Sequence, residues 1–153
     1  GTPAVVSDRG GLPNTVGGSF PAGGALVLPP PAWLTGDSSR VPAVSLDDFV
    51  YERGGESPDL IKMDIQGFEL QALQGMTDTI ARHRGIVLIS EFWPYGLRVA
   101  GSSALAYFEA LKSLGLNVYL AGKDLVPLTE QIVQQMEKQG KAYFNILATT
   151  KSV

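Results

Sequence analysis

The sequence predicts an α/β fold in which helices cover both faces of a mostly parallel β-sheet. Two segments, Leu60–Ile65 and Ile86–Ser90, are predominantly apolar, which is typical of strands buried on both faces. A helical pattern follows each of them, and this alternation of strands with helices is typical of parallel sheets. The length of 153 residues suits a single domain built around one core.

Residues 1–40 are predicted to form an irregular segment of this domain that is rich in glycine and proline. Residues 1–36 contain 14 of the 28 glycines and prolines in the chain (18 Gly and 10 Pro), and these residues disfavour helices and most strand pairings. Only Ala4–Ser7 and Ala25–Leu28 have the composition of short extended pieces. Residues 41–153 are predicted to form the α/β part of the domain.

The elements after residue 40 follow from turn residues and apolar spacing. Val41–Leu46 alternates weakly and predicts a short strand, and Asp47-Asp48 marks the start of a short helix. Two further strands are predicted over residues 117–120 and 143–148. Apolar side chains at helical spacing predict three longer helices, which run from Phe68 to Gly75, from Ser102 or Ser103 to Gly115, and over residues 129–139.

The composition indicates neither a nucleic-acid partner nor a membrane partner. The net charge is −3 and the sequence pI is about 5.1, and no run of basic residues is present. Because the chain has no cysteine, disulfides, thiolate nucleophiles and cysteine-based zinc sites are excluded. No apolar run reaches the roughly 18 residues that a membrane span requires. We therefore expect a cytoplasmic protein that acts on a small molecule, in an oligomeric state that the sequence leaves open.

Two acidic residues lie where ligands bind in open α/β sheets, at the carboxyl ends of strands. Asp64 is predicted to hold a substrate hydroxyl by a hydrogen bond or to act as a general base; its alternative role is to cap the helix that follows. Glu91 ends the next strand, so that the two carboxylates are predicted to be neighbours at one sheet edge. Such a pair can raise the pKa of one member. Alternatively, Glu91 pairs with Lys62 or Arg98.

Three more residues are candidates for substrate binding. Glu69 lies in the first turn of the predicted helix, where the helix dipole favours an acid whatever its function. Trp93 and Tyr95 belong to a predicted loop directly after the second strand, where side chains commonly line acceptor pockets or pack against the domain. Lys62 is expected to be buried within its strand and to pair there with Asp48 or Glu91.

The chain contains four sequence pieces in a fixed order: Leu46-Asp47-Asp48, the run Leu60-Ile-Lys-Met-Asp-Ile-Gln-Gly-Phe-Glu-Leu70, Leu73-Gln74-Gly75, and Ile89-Ser90-Glu91 at the end of an apolar strand. Their order and spacing resemble the FkbM family of S-adenosylmethionine-dependent methyltransferases. The family pattern is Leu-Asp-Asp, then Ile-Lys-Ile-Asp-Val-Glu-Gly-x-Glu, then Leu-x-Gly, then an apolar strand that closes on Glu. The likeness spans about residues 41–148.

The resemblance implies a Rossmann-like sheet, S-adenosylmethionine as cofactor, and methylation of a hydroxyl oxygen on a small molecule or sugar. Ala4–Asp8 resembles the stretch that the family places after its third strand, and so Ser7 and Asp8 are implied as cofactor-binding residues. The glycine-rich turn after the family's first strand has no counterpart in this sequence. We therefore expect the C-terminal part of a class I methyltransferase domain that lacks the first strands. Gln66 stands where the family commonly has Glu.

Two alternatives to methyl transfer stay open at this point. The first is a non-catalytic methyltransferase-like fragment or scaffold, which the missing cofactor motif favours. The second is an enzyme that depends on a divalent metal held by Asp64, Glu69 and Glu91, since Mg²⁺ and Mn²⁺ prefer oxygen ligands. The leading prediction assigns no metal, makes Asp64 and Glu91 catalytic, and makes Glu69, Trp93 and Tyr95 substrate-binding.

Overall fold

The computed structural model describes residues 44–52, 54, 56–83 and 85–151, and these residues form a mixed α/β structure. Their strands are β1 Leu60–Met63, β2 Val87–Phe92, β3 Asn117–Ala121, β4 Leu125–Pro127 and β5 Phe144–Thr149. Their helical segments are the π-helical turn α1 Asp48–Glu52 and the helices α2 Glu69–Gln74, α3 Thr77–Arg82, α4 Pro94–Val99, α5 Ala104–Ser113 and α6 Glu130–Glu137. The predicted α/β class is confirmed.

The strands form one sheet in the order β1-β2-β5-β3-β4. β1 and β2 are parallel, whereas β5 lies between β2 and β3 and is antiparallel to both. β4 is antiparallel to β3 and ends the sheet. The predicted mostly parallel pairing is therefore wrong for the described residues, although β1, β2 and β3 all run in the same direction. The causes are the insertion of the last strand between two strands of the opposite direction and the antiparallel pairing of β4 with β3.

Strand β2 has one fully buried face. Leu88, Ser90 and Phe92 of β2 point into the core, and the alternate residues of β2 are partly exposed. Helix α5 packs against α2, α4, α6 and β3 over the buried face. Complete burial of β2 on both faces, which the apolar pattern predicts, is thus found on one face only. The largest fully buried apolar side chains of the core are Leu73, Ile80, Ile86, Leu88, Phe92, Leu97, Tyr107, Leu111, Leu116, Ile146 and Val133.

The predicted strand over Val41–Leu46 is wrong where the structure describes it, since residues 44 and 45 have no regular structure and residue 46 is already helical. The buried Ser45 explains the difference. Its hydroxyl oxygen accepts a hydrogen bond from the Asp48 N–H at 2.9 Å, and its carbonyl accepts one from the Phe49 N–H at 3.1 Å. A serine in this arrangement starts a helical turn. The helix start predicted at Asp47-Asp48 is confirmed.

Other differences concern short elements. Strand β1 stops two residues before its predicted end, which leaves Asp64 and Ile65 in the turn. Three elements carry no strong sequence signal and were not predicted: α3, α4 and β4. Helix α4 begins with Pro94 at a first-turn position, where proline is favoured because its missing N–H is not needed. Tyr95 therefore lies in a helix and not in a loop.

Asp47 caps helix α3 from a distant position in the sequence. The residue that precedes α3, Met76, gives no side-chain cap. Instead, Asp47 Oδ1 accepts hydrogen bonds from the Thr79 N–H at 2.8 Å and the Thr79 hydroxyl at 2.7 Å, and Oδ2 accepts one from the Asp78 N–H at 3.1 Å. A carboxylate in this position satisfies free N–H groups and complements the helix dipole.

We expect Asp47→Ala to lower the free energy of unfolding by about 2 kcal/mol, because several charge-assisted hydrogen bonds to the start of α3 are lost. Denaturant unfolding followed by circular dichroism measures the change. The neighbouring Asp48→Ala is the matched control, because the Asp48 side chain is exposed and accepts none of these bonds. Equal losses in the two variants would contradict the capping role of Asp47.

Candidate active site

A tight turn joins β1 to α2 and carries the first candidate residue, Asp64. The Phe68 N–H donates to the Ile65 carbonyl at 3.5 Å, and the two residues between them have positive φ angles, 57° at Gln66 and 106° at Gly67. Positive φ is readily adopted by glycine and only uncommonly by other residues. The sequence Asp-x-Gln-Gly therefore folds back immediately after β1, and the Asp64 side chain stays at the carboxyl end of the strand.

Asp64 and Glu91 are brought together at this edge, as the sequence predicts. β1 and β2 are parallel, and Met63 lies opposite Ser90. The residues that follow these two are Asp64 and Glu91, which therefore lie side by side. The Gln66 side chain links them. Its Nε2 donates to Asp64 Oδ1 at 3.0 Å and to Glu91 Oε2 at 3.1 Å. Both carboxylates are only partly buried, which leaves them accessible to a ligand.

The pKa of Glu91 is raised from 4.5 to about 7. Loss of hydration on burial is the largest cause, followed by the negative charges of Asp64 and Glu69, while the positive charge of Lys62 acts in the opposite direction. A carboxyl group with this pKa exchanges its proton near neutral pH. Glu91 thus has the property of a general base or acid.

Lys62 does not occupy the predicted position. Its side chain is 67% exposed, and its Nζ lies 3.5 Å from Asp64 Oδ2. The predicted burial and the predicted pairing with Asp48 or Glu91 are therefore wrong, because β1 is the edge strand of the described sheet and Lys62 lies on its exposed face. At this exposure the ion pair contributes little to stability. The Lys62 ammonium group instead supplies a positive charge beside the two acids Asp64 and Glu91.

Glu69 stabilises the turn through a hydrogen bond to its backbone. Its side chain is fully buried in the first turn of α2, and its Oε1 accepts a hydrogen bond from the Ile65 N–H at 3.2 Å. Burial raises the pKa of this carboxyl. The other oxygen, Oε2, is buried and has no hydrogen-bond partner among the described residues. The geometry gives Glu69 a part in shaping the turn, and its contact with substrate stays a prediction.

An aromatic pair lies next to the acidic turn. The rings of Trp93 and Tyr95 have centroids 5.6 Å apart, and the Trp93 Nε1–H donates to the Lys141 carbonyl at 3.1 Å. Two cations approach the Tyr95 ring, Lys141 Nζ at 4.9 Å and Arg98 Cζ at 5.9 Å from its centroid. The guanidinium group of Arg98, one predicted partner of Glu91, thus lies over the Tyr95 ring.

Two glycines connect the aromatic pair to the acidic turn. A Cβ added to Gly67 would lie 2.4 Å from the Gly96 carbonyl oxygen, and one added to Gly96 would lie 2.1 Å from Cε3 of Trp93. Neither separation is possible for real atoms, so glycine at both positions allows the turn, the first turn of α4 and the indole ring to pack directly on one another. The segments that carry the two groups of candidate residues are therefore packed against each other.

The sequence model of the FkbM methyltransferase domain matches residues 3–143 of the chain, nearly its whole length. The chain belongs to the FkbM methyltransferase family. The resemblance derived from the acidic motifs is thus confirmed, and the match extends to residues that precede these motifs. No curated protein and no solved structure matches the chain.

Family membership makes this FkbM domain a methyltransferase, which needs a methyl donor and a small-molecule acceptor. Ser7 and Asp8, the implied cofactor-binding residues, lie outside the described part of the chain and stay predictions. Within residues 44–151, as far as they are described, no helix is long and apolar enough to cross a membrane. In the same residues no group of three His, Cys, Asp or Glu side chains could hold a metal ion.

Gln66 is the site residue that sequence reasoning missed in this FkbM domain. In the sequence it is noticeable only as a departure from the family's Glu. One signal could have found it: a long polar residue directly before a turn glycine, two positions after a strand-end acid, lies close enough to that acid for its side chain to reach back. The bond to Glu91 could not have been derived, because it joins residues 25 positions apart.

Proposed function

We propose that the chain catalyses the transfer of a methyl group from S-adenosylmethionine to a hydroxyl oxygen of a small molecule or sugar. The observation that supports this most strongly is the acidic pair of Asp64 and Glu91, joined by Gln66 at the carboxyl ends of β1 and β2 in an FkbM domain. Ligands of open α/β sheets bind at this edge. A hydroxyl group that is to be methylated must lose its proton, and a carboxylate with a pKa of about 7 can accept it.

The described residues fit the charge of the proposed cofactor. The methyl donor carries a sulfonium cation, and the edge beside it presents two partly buried carboxylates, Asp64 and Glu91, whose nearest described cation is the exposed Lys62. Ser7 and Asp8 are proposed to bind another part of the donor. When bound, S-adenosylmethionine supplies an activated methyl group for the acceptor oxygen.

We assign the remaining roles to residues of this chain. Glu91 accepts the proton of the acceptor hydroxyl, and Asp64 holds that hydroxyl in position by a hydrogen bond. Methyl transfer depends on alignment more than on strong acid–base catalysis, so that a sparse set of titrating groups is sufficient. Trp93 and Tyr95 contribute flat apolar surface for the body of the acceptor, for which a sugar ring is suitable. Glu69 stabilises the turn between β1 and α2 by accepting a hydrogen bond from the Ile65 N–H.

The metal-dependent alternative has no support in the described residues, because Asp64, Glu69 and Glu91 do not form a group that could hold an ion. Glu69 is directed to the backbone of the turn, and an amide nitrogen lies between the other two acids. The missing glycine-rich cofactor motif is the observation behind the scaffold alternative, and the titration described next distinguishes that alternative from catalysis.

Isothermal titration of the chain with S-adenosylmethionine, followed by transfer of its labelled methyl group to a panel of sugars and small alcohols, tests the proposal. We expect binding and labelling of an acceptor oxygen, which mass spectrometry of the product locates. Titration with Mg²⁺ and Mn²⁺ alone is the control for the metal-dependent alternative. Binding of the donor without transfer to any acceptor, or no binding of the donor at all, would count against the proposal and favour the scaffold.

We expect Tyr95→Leu to raise KM for the acceptor about fivefold and to leave kcat nearly unchanged, because a stacking surface worth roughly 1 kcal/mol is lost while the acidic pair remains. Steady-state kinetics measure both constants. Tyr51→Leu is the matched control, since Tyr51 also carries a cation over its ring, Arg82 Cζ at 4.5 Å, and precedes β1 in α1. The same rise in KM in both variants would contradict an acceptor contact at Tyr95.

A further inference from the structure

We propose that Gln66 is a positioning residue of this site, whose amide group holds the carboxylates of Asp64 and Glu91 at a fixed spacing so that both face one acceptor hydroxyl. The inference rests on the proposed function for the identity of that hydroxyl. The bridge itself concerns the protein alone and can be measured without a substrate.

The hydrogen bonds of Gln66 carry the inference. One nitrogen, Nε2, donates to both carboxylates, at 3.0 Å to Asp64 Oδ1 and at 3.1 Å to Glu91 Oε2. A primary amide has two N–H donors, and both are used here on the pair. Each carboxylate has one oxygen that Gln66 does not bind: Oδ2 of Asp64 and Oε1 of Glu91. Asp64 Oδ2 lies 3.5 Å from Lys62 Nζ. Both bonds are of ordinary length, and because they share one nitrogen they constrain the two side chains together.

The backbone of Gln66 gives an independent reason to assign a function to its side chain. Gln66 has a φ angle of 57°, and it is the one described residue other than glycine with a positive φ. Glycine adopts this conformation without strain, and asparagine is also favoured there, whereas glutamine is not. Strained residues of this kind cluster at functional sites. A residue that served only to make the turn would be expected to be glycine or asparagine.

The charges around the pair explain why a bridge is needed. Glu91 is faced by Asp64 from the turn after β1, by Glu69 from α2 and by Lys62 from β1, while the residue opposite it on β5 is the uncharged Asn145. Two of the three charged neighbours are negative. Without a donor between them, the carboxylates of Asp64 and Glu91 would face each other with only their mutual repulsion. The Gln66 amide replaces this repulsion with two attractive contacts.

The glutamate that the family commonly has at this position would act differently. A carboxylate in place of the amide would add a third negative charge and no donor. The amide of this chain keeps the pair together with no added charge, and the spacing is set by the length of the glutamine side chain. Asparagine is one methylene shorter, by about 1.5 Å, and cannot reach both partners from the same backbone position.

The test is a ¹³C NMR titration of the Glu91 side-chain carboxyl in the 153-residue chain and in Gln66→Leu. Leucine keeps the bulk near the acids and removes the donor. We expect the titration midpoint of Glu91, about 7 in the unmodified chain, to rise by about one pH unit in the variant, because the ionised form loses the hydrogen bond that offsets its repulsion from Asp64. A midpoint that is the same in the two proteins would overturn the proposal.

A second variant separates positioning from folding. Gln66→Gly relieves the backbone strain, which offsets the loss of the two hydrogen bonds, so its midpoint of thermal unfolding is expected to lie close to that of the unmodified chain. Its kcat for methyl transfer is nevertheless expected to fall about tenfold or more, with KM for the acceptor little changed, and Gln66→Asn is expected not to restore kcat. Full kcat in either variant would overturn the proposal.

The two readouts also distinguish this inference from the proposed function. If no acceptor is methylated but the Glu91 midpoint still responds to Gln66→Leu, the bridge is confirmed and the methyl-transfer assignment fails. If methyl transfer is found but neither the midpoint nor kcat depends on residue 66, the assignment holds and the positioning role of Gln66 is wrong.

Discussion

Glu91→Gln is expected to lower kcat for methyl transfer by about 10²- to 10⁴-fold, the range that a positioned general base contributes. The amide has the same shape as the carboxyl group and cannot accept the proton of the acceptor hydroxyl. Binding of S-adenosylmethionine is expected to weaken far less, because Asp64 retains its negative charge. Single-turnover transfer of a labelled methyl group measures the chemical step, and calorimetry measures the binding of the donor.

The same substitution is expected to change the pH dependence of stability. The pKa of Glu91 is raised in the folded chain from 4.5 to about 7, so that between these values the folded state binds more protons than the unfolded state. The free energy of unfolding therefore falls as the pH rises from about 4.5 to 7. Gln has no charge to desolvate, and at pH 8 we expect Glu91→Gln to be more stable than the unmodified chain by about 1–2 kcal/mol, a value reduced for the partial exposure of the group.

Glu109→Gln is the matched control for both measurements. Glu109 is an exposed residue of α5, and the substitution makes the same change from acid to amide. It is expected to leave kcat and the pH dependence of stability unchanged. A Glu91→Gln variant that retains most of its kcat would show that another group accepts the proton. A variant that is less stable at pH 8 would show that Glu91 is better stabilised when ionised than its surroundings indicate.

The meeting of Asp64 and Glu91 could be predicted from the sequence because it follows from local rules. Each acid follows an apolar strand, and the carboxyl ends of neighbouring parallel strands lie at one edge. Gly67, which follows shortly after the first strand, indicated the turn. Both rules depend on a few residues of sequence, and both hold in the structure. The chemical roles of the two acids stay predictions.

The errors and omissions have a common physical origin in contacts between distant segments. The apolar pattern of β5 resembles that of any buried strand, and nothing in it indicates that β5 enters the sheet between β2 and β3. Lys62 was expected to be buried because its strand is apolar. The exposure of its side chain is set instead by the position of β1 at the edge of the described sheet. The cap that Asp47 provides for α3 joins residues 32 positions apart, so that no local motif encodes it.

The close packing of Gly67 against Gly96 is a further contact of this kind, and it leads to the largest expected effect on stability. A Cβ at position 67 would lie 2.4 Å from the Gly96 carbonyl oxygen and 2.5 Å from its carbon, and both are backbone atoms that cannot rotate away. The φ angle of 106° adds conformational strain for any residue with a side chain. We expect Gly67→Ala to lower the free energy of unfolding by about 3–5 kcal/mol, the sum of the usual costs of a strained backbone and an overpacked contact.

Thermal unfolding followed by circular dichroism measures this loss, which is expected to lower Tm by about 10 °C for a chain of this size. Gly101→Ala is the matched control, because Gly101 also has a positive φ, 83°, but an added Cβ meets nothing within 4 Å. The control carries the backbone strain alone, and we expect it to cost about 1 kcal/mol. The difference between the two variants therefore isolates the contact between the acidic turn and α4. Equal losses would show that the turn does not pack on α4, and that Trp93 and Tyr95 are not held next to Asp64 and Glu91 by these two glycines.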